Sequence, residues 1–159
     1  VPGAEYGPAK QWPLRHYAKL AKALQARGLH VVTAGLPGDR MAGDELLAAT
    51  PTGLNLCGET SLLQLTALLA RAALVVSNDS GAMHLAAALG RPQVALFGST
   101  NPVWTGPLNQ NARLLVGKEP CAPCYARTCR FGHTRCLEAL SPDLAKQSAE
   151  ELLENIPPG

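Results

Sequence analysis

Aromatic side chains are scarce in this chain: two Trp, three Tyr and two Phe among 159 residues. No platform for stacking nucleic-acid bases is available, and the core must be built from Leu, Ala and Val. Charge of one sign is equally thin. The 14 basic and 12 acidic residues leave a net charge of +2, with no long basic run to follow a phosphate backbone. Nucleic acid is therefore not an expected partner. No apolar stretch approaches the roughly 20 residues that span a bilayer, since the longest, residues 62–76, is broken by Gln64 and Arg71. Internal repeats, low-complexity tracts and a signal peptide are also lacking. Val1-Pro2-Gly3 lead straight into turn residues without a start methionine, as in a piece of a longer protein cut just after a strand. The five cysteines are an odd number, which argues against a full disulfide framework and for a reducing, cytoplasmic compartment.

What is present suits one globular domain over residues 1–159, with 47% hydrophobic and 16% charged residues. A chain of this size can bury roughly 70% of its unfolded surface. After Pro13, the residues Leu14, Tyr17, Leu20, Ala21 and Leu24 recur at helical spacing, and Gly28 supplies a stop. A buried strand is predicted over 29–33, a helix over 40–49 and a short strand over 53–56. Ser61 and Gln64 form a capping box that opens a helix to about residue 70. Strand 73–77, helix 80–89, strand 93–97 and strand 113–116 follow, with a polar loop over 98–107. Ser141-Pro142-Asp143 starts a last helix to about residue 154. Such alternation predicts an α/β fold with a doubly wound parallel sheet. Ligands of these sheets bind beyond the carboxyl ends of the strands.

Three segments fall there. The first, residues 2–13, sets glycines and Lys10 just before a helix, where a cation can face phosphate oxygens. It lacks the Gly-Lys-Ser/Thr ending of a Walker loop, and a glycine-rich surface loop is the plain alternative. The second, Ser77-Asn78-Asp79-Ser80-Gly81-Ala82-Met83-His84, runs from strand into helix, so free N–H groups and the helix dipole offer an anion site. Gly81 leaves room for a phosphate. Asp79 either caps the helix or accepts from ligand hydroxyls. His84, one turn after Ser80, reaches the same crevice or packs in the core. The third, residues 97–105, brings Ser99 and Thr100 after a strand, as a phosphate or ribose contact or as an ordinary turn.

In their order and intervals, Pro2-Gly3-Ala4-Glu5 with Lys10, Trp12 and Pro13, Asn78-Asp79-Ser80-Gly81 with His84, and Leu96-Phe97-Gly98-Ser99-Thr100 resemble the lipopolysaccharide heptosyltransferases, glycosyltransferase family 9. Within them the likeness is to the C-terminal domain of the type that adds the second heptose. Residues 35–45 and Gly58-Glu59-Thr60 extend it over nearly the whole chain. The resemblance implies a GT-B architecture of two Rossmann-like domains facing across a cleft, of which this is the C-terminal one. The donor it implies is ADP-L-glycero-D-manno-heptose, and the acceptor is the lipopolysaccharide inner core, held by an N-terminal domain outside this chain. Lys10 would neutralise the diphosphate and stabilise the leaving group. The Ser80 and Gly81 backbone would hold phosphate oxygens, Asp79 and His84 would face the sugar or its phosphates, and Asp39 is a weaker candidate for the ribose. Gln11 stands where the family often has arginine. Inverting transfer with no catalytic metal, by a cytoplasmic enzyme in possible peripheral contact with the inner membrane, completes the implied picture. The isolated chain is expected to bind donor without transferring sugar.

Cys121, Cys124, Cys129 and Cys136 are spaced C-x2-C-x4-C-x6-C with His133 inside, a spacing that could hold a structural zinc. Free thiols are the alternative, and Cys57 reads as a small core residue. Two other functions compete: another nucleotide-sugar enzyme of the same architecture (a UDP-sugar transferase or epimerase), or a metal-organised interaction module.

Overall fold

The apolar stripe after Pro13 is turned inward as its spacing predicts. In α1 (Leu14–Gln25), Tyr17, Leu20, Ala21 and Leu24 are buried. The computed structural model describes residues 1–48 and 50–154. Ala49, where the second predicted helix ends, lies outside the described residues, as do the last five. The elements that follow α1 are β1 (Val32–Thr33), α2 (Arg40–Leu47), β2 (Leu54–Asn55), α3 (Leu62–Ala70), β3 (Val75–Asn78), α4 (Gly81–Ala88), β4 (Gln93–Phe97), α5 (Pro102–Thr105), β5 (Ala112–Val116), α6 (Arg135–Glu138) and α7 (Pro142–Glu154).

Local chemistry accounts for the helix starts. Gln64 N–H donates to Ser61 Oγ at 3.3 Å while Ser61 N–H donates to Gln64 Oε1 at 2.8 Å, so the capping box forms in full. At the start of α7, Leu144 N–H reaches Ser141 Oγ at 3.1 Å. Two short helices are unannounced in the sequence: α5 within the polar loop and α6 within the cysteine segment.

Every strand pairing is parallel, as expected, with β3, β4 and β5 side by side in that order. Strands β1 and β2 form a separate pair. They are shorter than predicted. β4 is the central strand and is buried along its whole length. Its alternation shows the doubly wound arrangement: Val94 and Leu96 join a core with residues of α1 and α7, while Ala95 and Phe97 meet Met83 of α4. Ala145 and Ala149 of α7 are fully buried, small enough to bring that helix close to the core. Among the described residues no helix is long and apolar enough to cross a membrane.

Candidate functional site

The site is organised by the last residue of β3 and the one after it. Asn78 is fully buried. Its Oδ1 accepts from Trp12 N–H at 3.0 Å and from Tyr17 Oη at 3.1 Å, and its Nδ2 donates to the Pro2 carbonyl at 2.7 Å. One amide thus straps residues 2–12 across the end of the sheet. Burial pushes the Tyr17 phenol far above its ordinary range, which keeps it a neutral donor to Asn78.

Asp79 draws the three predicted segments onto a single atom. Its Oδ2 accepts from Lys10 Nζ at 2.7 Å, Thr100 Oγ1 at 2.7 Å and Thr105 Oγ1 at 3.1 Å. The Lys10 and Asp79 side chains are only 12% and 5% exposed. Lys10 Nζ also lies 4.7 Å from the centre of the Tyr6 ring, so two contacts fix where its charge sits.

The carboxylate is therefore not a helix cap. The N-cap of α4 is Ser80, which makes no side-chain cap bond. Ser80 Oγ is buried without a partner in the structure. Nothing lies within 4 Å of where a Gly81 Cβ would stand, so the first turn of α4 is open on that side. His84, one turn further, is exposed rather than packed in the core. An uncapped helix start with a lysine held beside its strand–helix junction brings unpaired N–H groups, the positive end of the helix dipole and a fixed cation to one place. A cleft of about 450 Å³ opens next to it beyond β4 and β5, bounded by Thr100, Pro102, Val116 and Pro123.

Asp39 stands apart from this cluster. Its Oδ2 accepts from Leu36 N–H at 2.8 Å. A Cβ on Gly3 or Gly35 would fall 2.2 or 2.5 Å from that same oxygen, so both glycines are spaces made for the carboxylate. Its observed work is to close the turn after β1 onto residue 3. Gln11 is exposed.

The cysteine segment acts as a clamp on the site, which its spacing did not reveal. Ala9 N–H donates to the Arg127 carbonyl at 3.0 Å and Tyr125 N–H to the Ser99 carbonyl at 2.7 Å. Tyr6 Oη reaches the Tyr125 carbonyl at 2.7 Å, and the Arg127 guanidinium lies 5.0 Å from the Tyr6 ring centre. Residues 6–9 and 99 are thereby tied to one loop. Cys121, Cys124, Cys129 and Cys136 are free thiols, and among the described residues no three His, Cys, Asp or Glu side chains form a group that could hold a metal ion. Cys136 and Leu137 are carried by α6 into the core, where Leu137 Cγ and Cys136 Sγ would lie 2.6 and 2.9 Å from a Gly98 Cβ. Cys129 sits on an outer turn.

The thiols differ accordingly. Burial pushes Cys136 above the ordinary thiol range, with the nearby Cys121, Cys124 and Cys129 adding to the effect. Backbone N–H groups of Thr134, Phe131 and His133 pull Cys129 below it. Iodoacetamide at near-neutral pH is thus expected to alkylate Cys129 well before Cys136, with peptide mass spectrometry as the readout. Equal rates at the two residues would show that this difference in environment is not present in solution.

Two residues that sequence reasoning left out of the site are Thr105 and Tyr6. Thr105 lies in the segment already suspected, one helical turn beyond Asn101. Tyr6 carried no signal beyond its place between two glycines.

A parallel, doubly wound α/β sheet of this kind has the architecture of the GT-B glycosyltransferases among solved structures. It superposes on the structure of Escherichia coli ADP-heptose lipopolysaccharide heptosyltransferase II with a TM-score of 0.85 at 41% identity, over 96% of this chain and 45% of that one. The E. coli heptosyltransferase WaaC with ADP gives a TM-score of 0.79 at 26% identity, over 96% of this chain and 42% of that one. The curated lipopolysaccharide heptosyltransferase 2 of E. coli K12 is 51% identical over 119 residues, 72% of this chain and 34% of its own length. Residues 1–135 match the glycosyltransferase family 9 (heptosyltransferase) profile, and the chain belongs to that family. It spans between a third and a half of the length of these relatives.

Proposed function

We propose that this chain is the donor-binding half of a heptosyltransferase that moves L-glycero-D-manno-heptose from ADP-heptose to the lipopolysaccharide inner core. The observation that carries this reading is Lys10, held by Asp79 beside the uncapped start of α4. In inverting transfer an acceptor hydroxyl attacks the anomeric carbon as the diphosphate departs from the opposite face. Positive potential is needed at the leaving oxygens, and a base is needed for the hydroxyl proton. Lys10 and the backbone N–H groups following Ser80 and Gly81 supply the first without calling on a metal. His84 and Thr100 flank the same crevice and suit contacts to the sugar or its phosphates, while Asp39 suits the ribose less well because its carboxylate closes a turn. The base and the acceptor pocket belong to the facing N-terminal domain, so the isolated chain binds donor without transferring heptose. Work on a lipopolysaccharide acceptor fits a cytoplasmic protein that touches the inner membrane peripherally. Support for the nucleotide comes from relatives whose structures contain ADP and ADP-2-deoxy-2-fluoro heptose.

Calorimetric titration of the folded chain with ADP and with UDP tests the proposal. ADP is expected to bind and UDP to bind at least tenfold more weakly, a difference of about 1.4 kcal/mol. Equal affinity for the two would favour a UDP-sugar enzyme of the same architecture instead.

A further inference from the structure

Lys10, Asp79 and the start of α4 together are short of positive charge for the ligand proposed above. Lys10 is matched by Asp79 at 2.7 Å, so the pair is close to neutral, and a helix start adds only about half an elementary charge. A nucleoside diphosphate carries more negative charge than this balances. A further cation is needed near Lys10, one that no carboxylate already holds.

The cysteine segment supplies it. From Pro120 to Leu137 the sequence has no Asp or Glu, and it carries Arg127, Arg130 and Arg135. Arg127 is exposed. Among the described residues its guanidinium makes no ion pair and no hydrogen bond, and its contact is with the Tyr6 ring, 5.0 Å from the centre. Lys10 Nζ lies 4.7 Å from the centre of that same ring, so the two cationic centres are no more than about 10 Å apart. Contacts of about 2.8 Å from each cation to the two ends of one diphosphate cover a gap of that size.

Main-chain bonds put Arg127 there. Its carbonyl accepts from Ala9 N–H at 3.0 Å, and Tyr125 N–H holds the Ser99 carbonyl two residues earlier in the loop. A Cβ on Gly7 would fall 2.4 Å from the Arg127 carbonyl oxygen, so a glycine is what permits this approach. The loop is fastened without help from the guanidinium, which is left free for a ligand. We infer that Arg127 is the second cation of the site and binds the donor diphosphate together with Lys10 and the start of α4. This rests on the donor-binding reading above. Tyr6 is the platform for both cations, its ring face offsetting part of their mutual repulsion. Being exposed, the guanidinium is screened by water and salt and acts on contact.

Calorimetric titration of the full-length protein with ADP tests the inference. Arg127→Ala is expected to weaken ADP at least about tenfold, the scale of one hydrogen bond to a charged group, and Arg127→Lys to recover part of the loss. Arg130→Ala removes an equal charge from the same loop, where the guanidinium lies 5.5 Å from the Phe131 ring centre, and should leave ADP affinity within about twofold of the parent's, since an exposed charge without a ligand contact is largely screened. Equal losses in Arg127→Ala and Arg130→Ala, or in Arg127→Ala and Arg127→Lys, would overturn the inference, because the effect would then not belong to a charge at residue 127. A parent that binds ADP and is weakened by Lys10→Ala but not by Arg127→Ala overturns it alone. A folded parent that binds no ADP overturns the donor-binding reading along with it.

Discussion

Lys10→Ala in the full-length protein is expected to lower kcat for heptose transfer by roughly 10²–10³, about 3–4 kcal/mol of transition-state stabilisation, the scale of one preorganised donor at a developing charge. The loss should fall on kcat more than on KM, since the diphosphate gains charge as the glycosidic bond breaks. The same change strands the Asp79 carboxylate, only 5% exposed, with Thr100 and Thr105 as its remaining partners. Breaking a buried pair in this way typically costs about 3–5 kcal/mol of stability. The two effects separate in the double variant Lys10→Ala/Asp79→Ala, which removes the stranded charge. Stability should largely return while turnover stays low. If turnover returns together with stability, Lys10 holds the fold and does not serve the leaving group.

Trp12→Ala is expected to produce the largest loss of stability, about 3–5 kcal/mol in urea unfolding, as for other buried Trp truncations. Trp12 is 1% exposed. Its Nε1 donates to the Leu140 carbonyl at 2.8 Å, and its ring meets Tyr17 and His16 edge-on at 4.8 and 5.3 Å between centres. Removing it empties the joint between the strap over β3 and the approach to α7. Trp12→Phe isolates one part of this: the ring stays, the Leu140 carbonyl loses its donor, and a smaller cost of about 1–3 kcal/mol follows. Equal midpoints for the Phe variant and the parent would mean that the hydrogen bond adds nothing beyond packing.

Much of this architecture was legible because its causes are local. Ser61 with Gln64 marks a helix start whatever surrounds it, and Tyr17, Leu20, Ala21 and Leu24 declare an inward face through their spacing alone. β4 was legible because a strand buried on both faces has to be uniformly apolar. The weaker predictions concern β1 and β2, whose apolar runs are longer than their two-residue pairings. A run of side chains records burial, whereas strand length depends on what lies alongside.

The candidate site divides along the same line. Lys10, Asp79, Ser80, Gly81 and Thr100 could be named, since each follows a strand or precedes a helix. Their convergence on one Oδ2 could not, because Lys10 and Asp79 are 69 residues apart and Thr105 and Asp79 are 26 apart. His84 shows the converse: its neighbours Met83 and Leu85 left a core reading open beside the crevice reading, and the helix turns it outward. The cysteines advertised a metal through spacing, while the backbone of the same segment, at Tyr125 and Arg127, grips the site loops. Spacing reports side-chain chemistry, and that grip is made mostly by main-chain atoms.

The Lys10–Asp79 pair also bears on how a ligand arrives. Charges of opposite sign 2.7 Å apart act at a distance as a dipole, whose field fades faster than that of a lone ammonium and is small beyond a Debye length of about 8 Å in physiological salt. Anions in bulk solution are consequently steered little toward this crevice. Ionic strength then has slight purchase on the rate of encounter, and the lysine makes itself felt after arrival, in how long the ligand stays.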